Sequence, residues 1–188
     1  MLKACSLLKH KILIGLLYGC GLRCLEVRSV RVADLDFDRL QLRVVQGKGR
    51  KDRYVPLSEH LARGLNAYIK AERPTNYLFG GNVIESRAGG EFDSRYSQRG
   101  VQWAVKEAAK RAGIIKEVCV HTLRHTFATH LLEDGLNIVS VQHLLGHENI
   151  ETTMLYLHVA DCERIRSFSP LDTLFAQCGG QNPNASRP

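Results

Sequence analysis

One stretch, "LQLRVVQGKGRKDRYVPL" at residues 40–57, changes the period of the apolar residues and so limits the folds open to this chain. Leu40, Leu42 and Val44 alternate with polar neighbours, the spacing of a strand with one buried face. "GKGRKD" then signals a turn, and "RYVPL" returns as the next strand. Elsewhere the apolar spacing is mostly that of helices ended by glycine. Residues 3–19 set Leu7, Ile12, Leu13, Leu16 and Leu17 on one helical face, until Gly19 and Gly21 break it. "LRCLEVRSVRV" starts another helix. Ser58 stands as an N-cap before Leu61, Leu65, Tyr68 and Ile69. "SQRGVQWAVKEAAKRAG" ends at Gly113, "HTLRHTFATHLLEDG" at Gly135, and "IVSVQHLL", capped by Asn137, at Gly146. "NIETTMLYLHVA" holds one more helix or helical turn. Residues 74–95 are loop-rich, and "GGQNPNASRP" has the composition of a disordered tail. The expected fold class is α+β, mostly α-helical, with one small antiparallel sheet near residues 35–57.

With 188 residues, 44% of them hydrophobic, the chain suits one ordinary domain and a tail. A formal charge of +7 suits a polyanionic partner such as nucleic acid. No stretch approaches 18 apolar residues, so no membrane span is expected. The six cysteines, at 5, 20, 24, 119, 162 and 178, form no CxxC pair. They read as reduced, packed thiols, with Cys20 and Cys24 on one turn of an apolar helix, in the reducing cytoplasm.

Four places carry polar groups that local structure does not require. In "GCGLRCLEV", Arg23 sits at a helix start, where the helix dipole does not favour a cation. Glu26, three residues on, is placed to orient it by a charge-assisted hydrogen bond. In "GKGRKDR", Lys48 lies between two glycines among Arg50, Lys51 and Arg53, a solvated turn or a cationic finger for phosphate. The spacing of a phosphate-binding GxxxxGK[ST] loop is absent. In "HTLRH", His121, Arg124 and His125 share one helical face; arginine forks onto phosphate, and histidine moves protons near neutral pH. His130 lies further round and reads as structural. In "LLGHENIETTMLY", His147 follows a glycine cap and Tyr156 comes nine residues later. Each alone has an ordinary structural reading.

Together and in order, "GLRCLE", "GKGRKDR", "HTLRHTFATHLLE", "LLGH" and "TTMLY" resemble the motifs of the tyrosine recombinases, or phage integrases, over about residues 3–170. The resemblance implies a catalytic domain at residues 1–175, a small sheet packed against a helical bundle, followed by a disordered tail at 176–188. The N-terminal DNA-clamping domain usual in the family is expected to be absent. It implies six catalytic residues: Arg23, Lys48, His121, Arg124, His147 and Tyr156. Tyr156 would attack a DNA phosphate, leaving a 3′-phosphotyrosine. Arg23 and Arg124 would clamp the phosphate, Lys48 act as general acid, His121 as proton acceptor near Tyr156, and His147 as hydrogen-bond donor to a phosphate oxygen. The covalent link conserves bond energy, so no ATP is expected, and the arginines carry the charge a metal would otherwise carry, so no metal or other cofactor is expected. Arg43, Arg50, Lys51, Arg53, Arg95 and Arg99, with Lys106 and Lys110, would line double-stranded DNA. A homo-tetramer is expected on DNA, and a monomer or dimer without it. The run "RIRSFSPLDTLFAQ" either docks on a neighbouring protomer or folds back on its own domain. Three other readings remain: a metal-dependent hydrolase using "HTLRH", a non-catalytic DNA-binding remnant, and a type IB topoisomerase-like activity.

Overall fold

The computed structural model describes residues 1–45, 52–80, 94–157 and 160. Lys48, Arg50, Lys51, Cys162, Cys178, the "RIRSFSPLDTLFAQ" run and the expected tail lie outside the described residues.

Seven α-helices and three short strands are present among them: α1 (Leu8–Gly19), α2 (Cys24–Ser29), β1 (Leu35–Asp36), β2 (Gln41–Val44), β3 (Arg53–Pro56), α3 (Glu59–Glu72), α4 (Gln98–Arg111), α5 (Val120–Glu133), α6 (Ile138–Leu145) and α7 (Glu151–Met154). Helix α1 is buried through Ile12, Leu13, Ile14, Gly15, Leu16 and Leu17, so it is apolar on every side. Such a helix belongs in the middle of a bundle. It packs against α3, α4 and α5. Each fully buried leucine or isoleucine there stabilises the fold by about 1.5–3 kcal/mol.

The caps read from sequence hold α3 and α6, and Ser97, not singled out from the sequence, caps α4 in the same way. Ser58 Oγ accepts from the Leu61 amide at 3.2 Å, Ser97 Oγ from Gly100 at 3.0 Å, and Asn137 Oδ1 from Ser140 at 2.8 Å. Gly146 ends α6 in the left-handed region at φ 63°.

The sheet is antiparallel in the order β1-β2-β3, with Leu42 opposite Val55 and Val44 opposite Arg53. The alternation is strict: Leu42, Val44, Arg53 and Val55 are buried, whereas Arg43, Tyr54 and Pro56 are exposed. Arg53 therefore enters the interior with the apolar residues.

Two local expectations are corrected. The opening helix is not continuous over 3–19: a 3-10 turn at Leu2–Ala4 precedes α1, and Leu7 is extended and 54% exposed. Ser6 Oγ is held by Arg111 of α4 at 2.7 Å, which keeps this segment against α4. Nor do Cys20 and Cys24 share a helical turn. Gly21 at φ 61° separates α1 from α2, leaving Cys20 buried in the core and Cys24 half-buried at the start of α2. Both are free thiols, as are Cys5 and Cys119.

A second, smaller core joins α5 to α6 and the residues after α7: Phe127, Ala128, Leu132, Val141, Leu145, Tyr156 and Ala160. The two cores meet beside Gly21. A Cβ there would stand 2.4 Å from the Phe127 ring and 3.3 Å from Leu145. No helix among the described residues is long and apolar enough to cross a membrane.

Candidate active site

The α1–α2 junction, the start of α5 and the α6–α7 turn converge at the boundary between the two cores. Arg23 is the N-cap of α2. Its guanidinium reaches Glu26 at 2.8 Å and the Gly146 carbonyl at 3.2 Å, while its own amide donates to Glu26 at 2.8 Å. A cation at this helix start is thus compensated by the carboxylate inside the first turn.

Glu26 is the hub of the cluster. Besides Arg23 it accepts a fork from Arg53 at 2.8 and 2.9 Å, and Arg124 Nη1 stands 3.8 Å away. Burial alone would push this carboxyl up. Hydrogen bonds and charge from Arg53, then from Arg23, outweigh it and hold Glu26 at about 2.

Arg124 is only 4% exposed. It donates to the carbonyls of Gly21 and Leu145 and, at 3.1 Å, to His147 Nε2. Burial, followed by the charges of Arg23 and Arg53, lowers it to about 10, so it remains cationic at neutral pH.

The tautomer of His147 follows from its partners. A guanidinium only donates, so Nε2 accepts; the ring proton sits on Nδ1 and donates to Thr153 Oγ1 at 3.0 Å. Burial first, then Arg124, Arg23 and Arg53, lower His147 to about 4. A phosphate contact through Nε2 therefore requires that nitrogen to gain a proton. Thr153 is fully buried and was not singled out from the sequence. Its spacing from His147 carries no signal until the α6–α7 turn brings the two together.

Tyr156 is 7% exposed, with its ring stacked on His147 at an interplanar angle of 11° and a centroid distance of 6.3 Å. Its hydroxyl lies 3.0 Å from His125 Nδ1. Burial raises the phenol above its ordinary range, against the pull of Arg124 and Arg23. His121 is exposed, its ring centroid 6.5 Å from that of His125. The imidazole brought to the phenol is thus that of His125, not the expected proton acceptor His121. His130 bonds Tyr18 at 2.9 Å, away from the cluster.

A shallow cavity of about 210 Å³ opens beside the cluster, lined by Arg23, Gly146, His147, Glu148, Asn149 and Thr152. A larger one, about 350 Å³ and lined in part by Lys9, Glu72 and Tyr77, contains none of these site side chains.

The residues expected to line DNA divide. Arg99 is exposed in the first turn of α4. Arg43 is 48% exposed and lies 3.6 Å from Asp34 and from Asp52. Arg95 bonds Ser29 at 3.1 Å beside the Tyr77 ring. Arg53 departs from the surface placement: it is 8% exposed, forked onto Glu26, with Nε on the Leu144 carbonyl at 2.8 Å. Its parity with Val55 on β3 is the sequence signal for an inward side chain, and the register that sets it opposite Val44 confirms the face. Among the described residues no three His, Cys, Asp or Glu side chains stand close enough to hold a metal ion.

The phage integrase family model matches residues 1–163. A tyrosine recombinase of Pseudothermotoga lettingae is 42% identical over 162 residues, covering 85% of this chain and 53% of its own. Another, from Thermosipho africanus, is 43% identical over 164 residues, covering 87% and 54%. The crystal structure of XerA recombinase superposes with a TM-score of 0.75 at 28% identity, covering 96% of this chain and 62% of that one. The chain belongs to the phage integrase, or tyrosine recombinase, family. It spans about half the length of the curated relatives it matches.

Proposed function

We propose that the protein is a site-specific recombinase that cuts and rejoins DNA strands through a 3′-phosphotyrosine at Tyr156. The observation that carries this reading is the meeting of Arg23, Arg124 and His147 around the Tyr156 phenol. The metal-hydrolase and non-catalytic readings lack comparable support.

In the reaction, the Tyr156 oxygen forms a bond to phosphorus and the bond to the 5′-oxygen breaks. A phenol with pKa about 10 is ~0.1% ionised at pH 7, a cost of about 4 kcal/mol. Arg124 and Arg23 offset part of it by favouring the phenolate, and they stabilise the charge on the non-bridging oxygens. Lysine would not supply the planar fork. Lys48, in the connection between β2 and β3, is the general acid that protonates the leaving oxygen. Resealing reverses the steps and conserves the bond energy. Arg43, Arg95 and Arg99 extend the basic surface to the duplex, and Arg50 and Lys51, which follow Lys48 in the sequence, add to it. The assembly on DNA is a homo-tetramer, and the compartment is the cytoplasm.

The test is covalent trapping. Nicked, labelled duplexes are incubated with the protein, denatured and resolved on a gel. A protease-sensitive, retarded band lost in Tyr156→Phe is expected. A band that survives this substitution would refute the assignment.

A further inference from the structure

We propose that Arg53 is a positioning residue for strand cleavage: by occupying the Glu26 carboxylate it leaves Arg23 and Arg124 oriented for the phosphate but not neutralised. The inference rests on the phosphotyrosine reading above and adds to it a residue that touches no substrate.

Three guanidiniums meet the end of α6. The carbonyls of Leu144, Leu145 and Gly146 accept, in turn, from Arg53 Nε at 2.8 Å, from Arg124 Nη2, and from Arg23 Nη2 at 3.2 Å. A helix C-terminus leaves such carbonyls without partners inside the helix and favours cations beside them. One run of three residues thus sets all three side chains relative to His147, which follows it.

The three differ in what they can still offer. Arg53 is 8% exposed. Its Nη1 and Nη2 fork onto the two Glu26 oxygens at 2.9 and 2.8 Å, and its Nε is held by Leu144. Both of those donating edges are spent on the protein, so they offer phosphate no fork. Arg23, by contrast, has a side chain 31% exposed and lines the shallow cavity beside the cluster. Arg124 donates to His147, which lines the same cavity.

Glu26 stands between these roles. Each of its oxygens accepts one bond from Arg53 and one from Arg23, and Oε2 lies 3.8 Å from Arg124. Three guanidiniums against one carboxylate leave a surplus of two positive charges. A phosphodiester carries one negative charge, and a phenolate attacking it brings a second, so the surplus matches the charge in the transition state. Without Arg53 the surplus falls to one. Both Glu26 oxygens are then left to Arg23 and Arg124, in competition with the phosphate. The carboxylate is only 12% exposed, so water screens little of that pull.

The test is a rescue. Adduct formation on labelled, nicked duplexes is followed in a single turnover at saturating protein. Wild type is compared with Arg53→Met, Arg53→Lys and the double variant Arg53→Met with Glu26→Gln. The amplitude counts folded, competent molecules, whereas the rate constant reports the site within them. Arg53→Met should lose about 10²-fold in rate constant, the size expected when reacting groups are misplaced by a change at a distance. The double variant removes the unpaired carboxylate and restores the surplus of two, so it should react faster than Arg53→Met. Arg53→Lys keeps the charge without the fork and should fall between wild type and Arg53→Met. A loss confined to amplitude, a double variant no faster than Arg53→Met, or an Arg53→Lys rate constant equal to wild type overturns the inference alone. An adduct persisting in Tyr156→Phe overturns the phosphotyrosine reading and the inference with it. A second measurement needs no DNA. Inorganic phosphate is titrated into each protein while the ¹⁵Nε resonances of Arg23 and Arg124 report its Kd at the clamp. That Kd should rise in Arg53→Met and fall back in the double variant; the same Kd in all three proteins overturns the inference.

Discussion

At the scale of single residues, the site depends on positions whose backbone or buried polar atoms leave little choice. Gly21 is left-handed, and a methyl there would stand 2.4 Å from the Phe127 ring. Gly21→Ala should therefore combine a left-handed penalty of about 1–2 kcal/mol with an overpacking cost of about 1–3 kcal/mol. Gly135 is also left-handed, at φ 91°, but a methyl there meets nothing within 4 Å. Gly135→Ala should pay only about 1–2 kcal/mol. Urea midpoints with an unchanged slope measure the difference between the two. Thr153→Val makes a second case. It keeps the shape but removes the acceptor for His147 Nδ1–H at a fully buried position. The expected loss is about 1–3 kcal/mol. It should also free the His147 tautomer, seen as a shift of its ¹⁵N resonances.

At the scale of elements, Arg53 ties β3 to α2 through Glu26 and to the end of α6 through the Leu144 carbonyl. The strand leading from Lys48 is thus fastened to the helix start carrying Arg23 and to the turn carrying His147. Arg53→Met leaves a buried carboxylate with less compensation and should cost about 3–5 kcal/mol. The pH dependence has a definite sign. Glu26 is lowered from 4.5 to about 2, so the unfolded chain binds its proton more readily. Its contribution is complete above pH 4.5 and fades as pH falls toward about 2. In Arg53→Met the main opposition to burial is gone and the Glu26 carboxyl rises, so the loss of stability on acidification should shrink relative to wild type, the folded state now holding its proton more readily. Urea unfolding of both proteins from pH 7 to 3 measures this. Parallel curves across that range would refute the ion-pair account.

At the scale of the whole molecule, the proposed duplex binding, resting on a charge of +7 and on exposed arginines such as Arg99 and Arg43, predicts that phosphate contact is its main term. The affinity for a random duplex should fall linearly on log–log axes, with a slope of about −0.9 for each phosphate neutralised. Anisotropy titrations between about 50 and 200 mM salt measure it. Arg99→Ala should reduce the slope by about one phosphate's worth, while Arg53→Met at neutral pH should not. The second comparison separates a buried ion-pair partner from a surface contact.

The sequence by itself determined the periodic features and the family. Glycine stops, the Ser58 and Asn137 caps and the period-two run at 40–57 are local signals, and local hydrogen bonds realise the caps. The ordered motifs from "GLRCLE" to "TTMLY" indicated the family because they fix residue types in chain order. Even the burial of Arg53 was legible, through its parity with Val55, although its charge suggested a surface. Tertiary structure alone decided which histidine meets the tyrosine. His121 and His125 are one turn apart on a single face, so α5 offers both equally. The choice depends on where α6 and α7 carry Tyr156, and that path is set by packing in the second core. The same holds for the His147 tautomer. It follows from a guanidinium 23 residues away and a hydroxyl six residues on, contacts that exist only once the chain is folded.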